Sequence, residues 1–139
     1  MIAYAESSAV LAWLLGEPEG ERVRQLMAGA ERVVSSTLTP LECARAIERG
    51  ALAGRLTEAE ALAGRRLLDS ARRTWVLLEM TGPALARAAR RFPAEPVRTL
   101  DAIHLAAALE FHEALGGLTM VSLDERVKDN ARLLGMAVA

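Results

Sequence analysis

Short apolar runs alternate along this chain with longer stretches whose apolar residues return every three or four positions. Ile2 to Ala5 is the first run and predicts a buried strand. Ser7-Ser8 then supply helix-entry residues ahead of Val10, Leu11, Trp13 and Leu14, and Gly16 with Pro18 just beyond stops that helix. Pro18 suits the first turn of a second helix carried by Val23, Leu26 and Met27. Arg32 to Ser36, with Val33-Val34, predicts the next strand. In Thr39-Pro40-Leu41-Glu42 a capping residue precedes a proline at the first helical position and a carboxylate in the first turn. This third helix should run to about Gly54.

Thr57 and Glu60 have capping-box spacing and open a fourth helix that ends near Arg73. Trp75 to Leu78 predicts a third strand. Thr81 opens a helix through Pro83, Leu85, Ala88 and Ala89 that closes before Pro93, and Ala94 to Arg98 form a loop. Thr99 to Leu115 is alanine-rich, strongly helical in pattern, and ended by Gly116-Gly117. Thr119 to Leu123 predicts a fourth strand, Asp124 to Leu134 a last helix, and Met136 to Val138 a terminal strand. Strands separated by helices imply an α/β fold: a mostly parallel sheet of four to five strands with helices on both faces. No repeat or linker divides residues 1–139, so one domain is expected.

Composition narrows the setting. Hydrophobic residues make up 52% of the chain and charged residues 25%, the proportions of a globular protein with a real core. The single cysteine, Cys43, cannot form an intramolecular disulfide and reads as a small core filler, which suits a reducing cytoplasm. The start of the chain lacks a basic segment followed by a long apolar run, and no apolar stretch reaches the roughly 20 residues of a membrane span. The net charge of −1 argues against a strong overall attraction to polyanions. Arginine pairs such as Arg65-Arg66, Arg72-Arg73 and Arg90-Arg91 can grip phosphate, although GC-rich coding produces the same abundance.

Open parallel sheets bind ligands beyond the carboxyl ends of their strands. Four acids fall there: Glu6 after the first strand, Glu42 early in the third helix, Asp101 in the first turn of the alanine-rich helix, and Asp124 after the fourth strand. Each alone is accounted for by the helix dipole, which favours acids in first turns by about 0.3–1 kcal/mol. Glu17, Glu19, Glu58 and Glu60 need no other reading. If the four converge, mutual repulsion raises the pKa of at least one unless a cation neutralises them. An all-oxygen donor set selects hard ions such as Mg²⁺ or Mn²⁺, which can activate water against a phosphodiester.

These residues lie in segments that resemble a known family. MIAYAESSAVLAWLLGEPEGERV resembles the opening of a PIN domain, and SSTLTPLECARAI its second motif. RTLDAIHLAAAL resembles the third motif of VapC-type toxins almost letter for letter, and TMVSLDERVKDNARLLGMAV the fourth. The resemblance spans nearly the whole chain in order. It implies a three-layer α/β sandwich and an endoribonuclease toxin with Glu6, Glu42, Asp101 and Asp124 around Mg²⁺ or Mn²⁺. It also implies a cognate antitoxin partner and a homodimer, within a larger toxin–antitoxin hetero-oligomer in some cases. Ser7, Thr99 and, with less support, Ser122 match hydroxyl residues that flank such a site. One departure stands out, because the family's first acid is usually aspartate and here it is Glu6.

Several features keep two readings. His104, three residues after Asp101, is either a donor to that carboxylate or a packed histidine without chemical duty. Arg45 and Arg49 are either RNA-phosphate contacts at the rim or solvated surface arginines. The Ala102 to Ala108 stretch, like Trp13, Leu14 and Leu15, suits core packing or a dimer contact. Glu6 keeps open a degenerate PIN fold that binds a partner without cutting RNA. A phosphoacceptor receiver domain is disfavoured, since the first strand lacks paired acids and the only lysine, Lys128, falls in a predicted helix. A haloacid-dehalogenase-type phosphatase would need two aspartates flanking one residue, which Ala-Glu-Ser does not supply.

Overall fold

In a computed structural model covering residues 1–139, twelve elements follow the predicted alternation. They are β1 (Ile2–Ala5), α1 (Ser7–Leu14), α2 (Gly20–Gly29), β2 (Arg32–Ser36), α3 (Leu38–Leu52), α4 (Glu58–Arg72), β3 (Val76–Leu78), α5 (Gly82–Ala88), α6 (Thr99–Leu115), β4 (Thr119–Val121), α7 (Glu125–Leu133) and β5 (Ala137–Val138). All five strands are parallel, in the order β3-β2-β1-β4-β5. From β1 the chain first builds outward to β2 and β3, then crosses back to place β4 on the other side of β1. The crevice beyond the carboxyl ends of β1 and β4 is therefore the topological switch point.

Strand alternation divides the core. Ala3 and Ala5 face one layer with Val10, Leu14, Val23, Ile47 and Leu68, from α1 to α4. Tyr4 faces the other, with Leu105, Met120, Val127 and Met136, which α6 and α7 help to build. Ala3, Tyr4 and Ala5 are fully buried, as a central parallel strand requires. The alanine stretch of α6 belongs to this core, since Ala102, Ala106, Ala107 and Ala108 are buried in it or beside it. No helix is long and apolar enough to cross a membrane.

Some boundaries differ from expectation for local reasons. Helix α3 begins at Leu38, whose N–H is accepted by Ser36 Oγ at 3.1 Å, so Thr39 is not the cap. Thr39 instead turns inward and accepts a bond from Ser35 Oγ at 2.8 Å, and Glu42 falls beyond the first turn. Helix α5 stops at Ala88 because Phe92 folds back into the core, with the Arg87 guanidinium 4.3 Å above its ring. Helix α2 starts at Gly20, two residues after Pro18. A Cβ there would stand 2.4 Å from Ala12 O and 2.9 Å from Trp13 Cα, so the backbones of α1 and α2 touch. The capping box at Thr57 and Glu60 forms as predicted.

Because those contacts are backbone atoms that cannot swing aside, Gly20→Ala should destabilise the protein by about 1–3 kcal/mol, the usual cost of overpacking. Urea unfolding would read this as a lower midpoint, and an unchanged midpoint would rule out the close approach.

Candidate active site

Glu6 leaves β1 directly into the crevice and is only 3% exposed. Its extended backbone makes it the N-cap of α1, and its carboxylate accepts the Ser8 N–H at 3.1 Å. Three hydroxyls complete the shell: Ser7 Oγ at 2.6 Å, Ser122 Oγ at 2.8 Å, and Ser8 Oγ. A carboxylate taken out of water needs donors from the protein, and these four supply them. The hydroxyls are themselves held, since Ser8 Oγ accepts the Leu123 N–H at 2.9 Å and Ser122 Oγ the Asp124 N–H at 3.1 Å. Glu6 thus fastens the start of α1 to the turn after β4.

Glu42, on α3, is 22% exposed and accepts from His104 Nε2 and from Ser7 Oγ, the latter at 3.3 Å. His104 is fully buried, with Nδ1 2.9 Å from the Tyr4 hydroxyl. Burial first, and then the nearby Glu6 and Glu42, push the Tyr4 phenol well above its ordinary pKa. Tyr4 therefore keeps its proton and donates to Nδ1, which leaves Nε2 as the ring donor to Glu42. Of the two readings of His104, the donor to Asp101 does not form, and the packed ring bonds Tyr4 and Glu42 instead. Three positions further along α6, the ring enters the sheet-facing side, where Tyr4 and Glu42 meet it.

Asp101 lies in the first turn of α6, partly buried, and no protein group donates to it. Desolvation raises its pKa most, followed by the charges of Asp124 and Glu6, while His104 and Arg98 partly offset them. Asp124 caps α7, its Oδ1 accepting the N–H groups of Arg126 and Val127 at 2.8 and 3.1 Å. Its Oδ2 receives no protein bond. Asp101 and Asp124 both line a cavity of about 660 Å³ with Pro96, Arg98, Leu123 and Arg126.

Glu42 and Ser7 open instead onto a cavity of about 310 Å³ lined by Leu41, Leu100, Arg45 and Arg49. Arg45 and Arg49 accompany Glu42 and not the aspartate pair. Thr99 is exposed and bonds to none of the acids. The four acids therefore form a row, Glu42–Glu6–Asp124/Asp101, bridged by Ser7 and Ser122, and no three of them are grouped closely enough to share a metal ion. Asp101 and Asp124 do fit a hard cation. They are two like-charged carboxylates, neither ion-paired, and Mg²⁺ is commonly held by one or two carboxylates with water in the remaining positions. Sequence reasoning missed Tyr4 and Ser8. The available signals were a phenol in an otherwise aliphatic strand and a second serine beside the first acid.

Residues 3–133 match the model of the PIN domain. The chain belongs to the PIN-domain family. Among curated relatives it is 36% identical to Ribonuclease VapC46 of Mycobacterium tuberculosis over 135 residues, covering 97% of this chain and 94% of that protein. Ribonuclease VapC47 of the same species is 31% identical over 140 residues, covering 98% and 94%. Solved PIN-like folds superpose over nearly the full length. A chain from the structure of FitAB bound to an IR36 DNA fragment gives a TM-score of 0.69 at 18% identity, covering 100% of this chain and 94% of its own. PAE2754 from Pyrobaculum aerophilum gives 0.59 at 18%, covering 99% and 87%. The acids sit on this PIN fold at its switch point.

Since the folded-state pKa of Asp101 is raised, the folded protein holds that proton more tightly than the unfolded chain. Ionising Asp101 therefore costs stability as pH rises above the ordinary carboxylate range of about 4. In EDTA, Asp101→Asn should melt at a higher temperature than wild type at pH 7, and the difference should shrink toward pH 4. Calorimetry showing the same difference at both pH values would refute this. Asp124→Ala should lose about 1 kcal/mol instead, as a cap is removed.

Proposed function

We infer that this PIN-domain chain is a VapC-type endoribonuclease toxin that hydrolyses RNA phosphodiesters at the Asp101–Asp124 cavity. The observation that carries this reading is the pair of acids without cationic partners at the switch point of a chain whose curated relatives are named ribonucleases. Asp101 and Asp124 would hold Mg²⁺ or Mn²⁺. A bound divalent ion supplies Lewis-acid charge and lowers the pKa of water at neutral pH. Asp101, which takes no hydrogen bond from the protein, would also stand beside the attacking water and could accept its proton. Glu6, within its hydroxyl shell, keeps Ser122, and through it the Asp124 backbone, in position. Glu42, held by His104, is the acid of the neighbouring cavity and orients Ser7. This departs from four equivalent ligands around one ion.

The same reading carries a cognate antitoxin that neutralises the toxin, a homodimer with larger toxin–antitoxin assemblies, and work in the cytoplasm. A second reading rests on Glu6. Both of its oxygens are engaged by protein donors, as in a site that has become structural, which favours a PIN module that binds a partner without cutting RNA.

Purified, antitoxin-free protein incubated with a pool of structured RNAs should cut in Mg²⁺ or Mn²⁺ and stop in EDTA. Asp101→Asn should lower the rate at least 100-fold, the scale expected for loss of a positioned proton acceptor, roughly 10²–10⁴. If wild type fails to cut while Glu6→Asp cuts, the natural site is impaired. If neither cuts with either ion, the partner-binding module is the correct reading.

A further inference from the structure

The larger cavity is acidic, yet it leaves two cations unpaired. Of the acids that line it, Glu95 is committed to backbone, accepting the N–H of Phe92 at 3.0 Å and of Val97 at 2.6 Å. Glu125 pairs with Lys128, and Asp129 with Arg132 at 2.8 Å. Asp124 gives one oxygen to the start of α7. Arg98 and Arg126 line the same cavity, and neither forms an ion pair with any of these carboxylates. Arg126 spends one N–H on Pro96 O at 2.9 Å, while Arg98 donates to no protein atom. Their remaining donors are free for a ligand.

The backbone that carries them is fixed. Asn130, fully buried in α7, accepts the Ala94 N–H at 2.9 Å and donates to Ala94 O at 2.9 Å and to Arg126 O at 3.0 Å. With the Arg126–Pro96 bond, this ties the segment leading to Arg98 onto the helix that Asp124 caps. The two segments that bear the guanidinium groups are therefore held to each other and to Asp124.

The geometry points to Arg98 and Arg126 as the pair that grips the RNA backbone phosphates beside Asp101 and Asp124, an assignment that rests on the ribonuclease reading above. A phosphodiester approaching two carboxylates meets charge of its own sign. Guanidinium groups offset that repulsion and match phosphate oxygens two at a time. Arg45 and Arg49 line the other cavity with Glu42, and so stand apart from the phosphate nearest the aspartates.

The test uses the full chain carrying Asp101→Asn, in EDTA so that no cleavage intervenes, with a short fluorescein-labelled single-stranded RNA read by anisotropy across a salt series. Adding Arg98→Ala or Arg126→Ala should each weaken binding about tenfold, the change for one charge-assisted bond. Each should also make the slope of log affinity against log salt shallower by about 0.7. Arg98→Lys should restore the slope but not the affinity, because charge returns without the two-pronged geometry. Arg22→Ala, on exposed α2 and paired with Glu19, should change neither. Both alanine variants binding with the parent's affinity and slope would overturn the assignment, and if wild type still cuts RNA, the ribonuclease reading survives it. A parent that binds no RNA would overturn it too, and absence of cutting by wild type would then remove the ribonuclease reading as well.

Discussion

A carboxylate sealed from water must be solvated by the protein, and the burial of Glu6 imposes that demand at the centre of this fold. Four donors answer it, drawn from two places more than a hundred residues apart in sequence. Their convergence requires β1 beside β4 in the register that sets Ala5 against Val121. A slip of one residue would reverse the strand's faces and leave the acid without Ser122. The charge of Glu6 and the pairing of the central strands therefore specify each other. The neighbouring acids inherit their places from that arrangement, Asp124 through Ser122 and Glu42 through Ser7.

The result is a site with an interior and a mouth. Inside, Tyr4, His104, Glu42, Ser7 and Glu6 form a chain of bonded groups in which most donors have an assigned acceptor. At the mouth, Asp101 and half of Asp124 lack donors and face the open cavity. Proteins usually satisfy their buried polar groups, so the asymmetry separates what holds the fold from what is available to a ligand. Asp101, without donors, is an acid whose proton affinity is raised, by desolvation first and then by the charges of Asp124 and Glu6.

Much of this was legible in the chain. The order and type of every element followed from the switching of apolar periods, because a buried parallel strand and a helix with one apolar face leave different spacings. The four acids were visible as residues at strand exits and helix entries. Capping at α3 was misread, since the helix starts after Thr37, with Ser36 Oγ accepting the Leu38 N–H, while Ser35 claims Thr39 inside the core. The partners of His104 were hidden for a related reason. Spacing along α6 shows which residues share a face, whereas Tyr4 and Glu42 reach the ring through sheet register and the crossing of α3. The roles of Arg98 and Arg126 were hidden for the same reason, since a cation without a partner is recognised only after every nearby acid has been assigned.

Helix α6 carries Asp101 at its mouth and His104 one turn further in, so a single rigid rod reaches both cavities. Its 17 residues make it about 25 Å long, with Gly116 in the left-handed region ending it far from the site. Its own small side chains, Ala102, Ala106, Ala107 and Ala108, let it lie close to the sheet. A tilt that widened the cavity at Asp101 would also draw His104 away from Glu42. The two halves of the site are thus set on one element, and a shift of its axis would reach both.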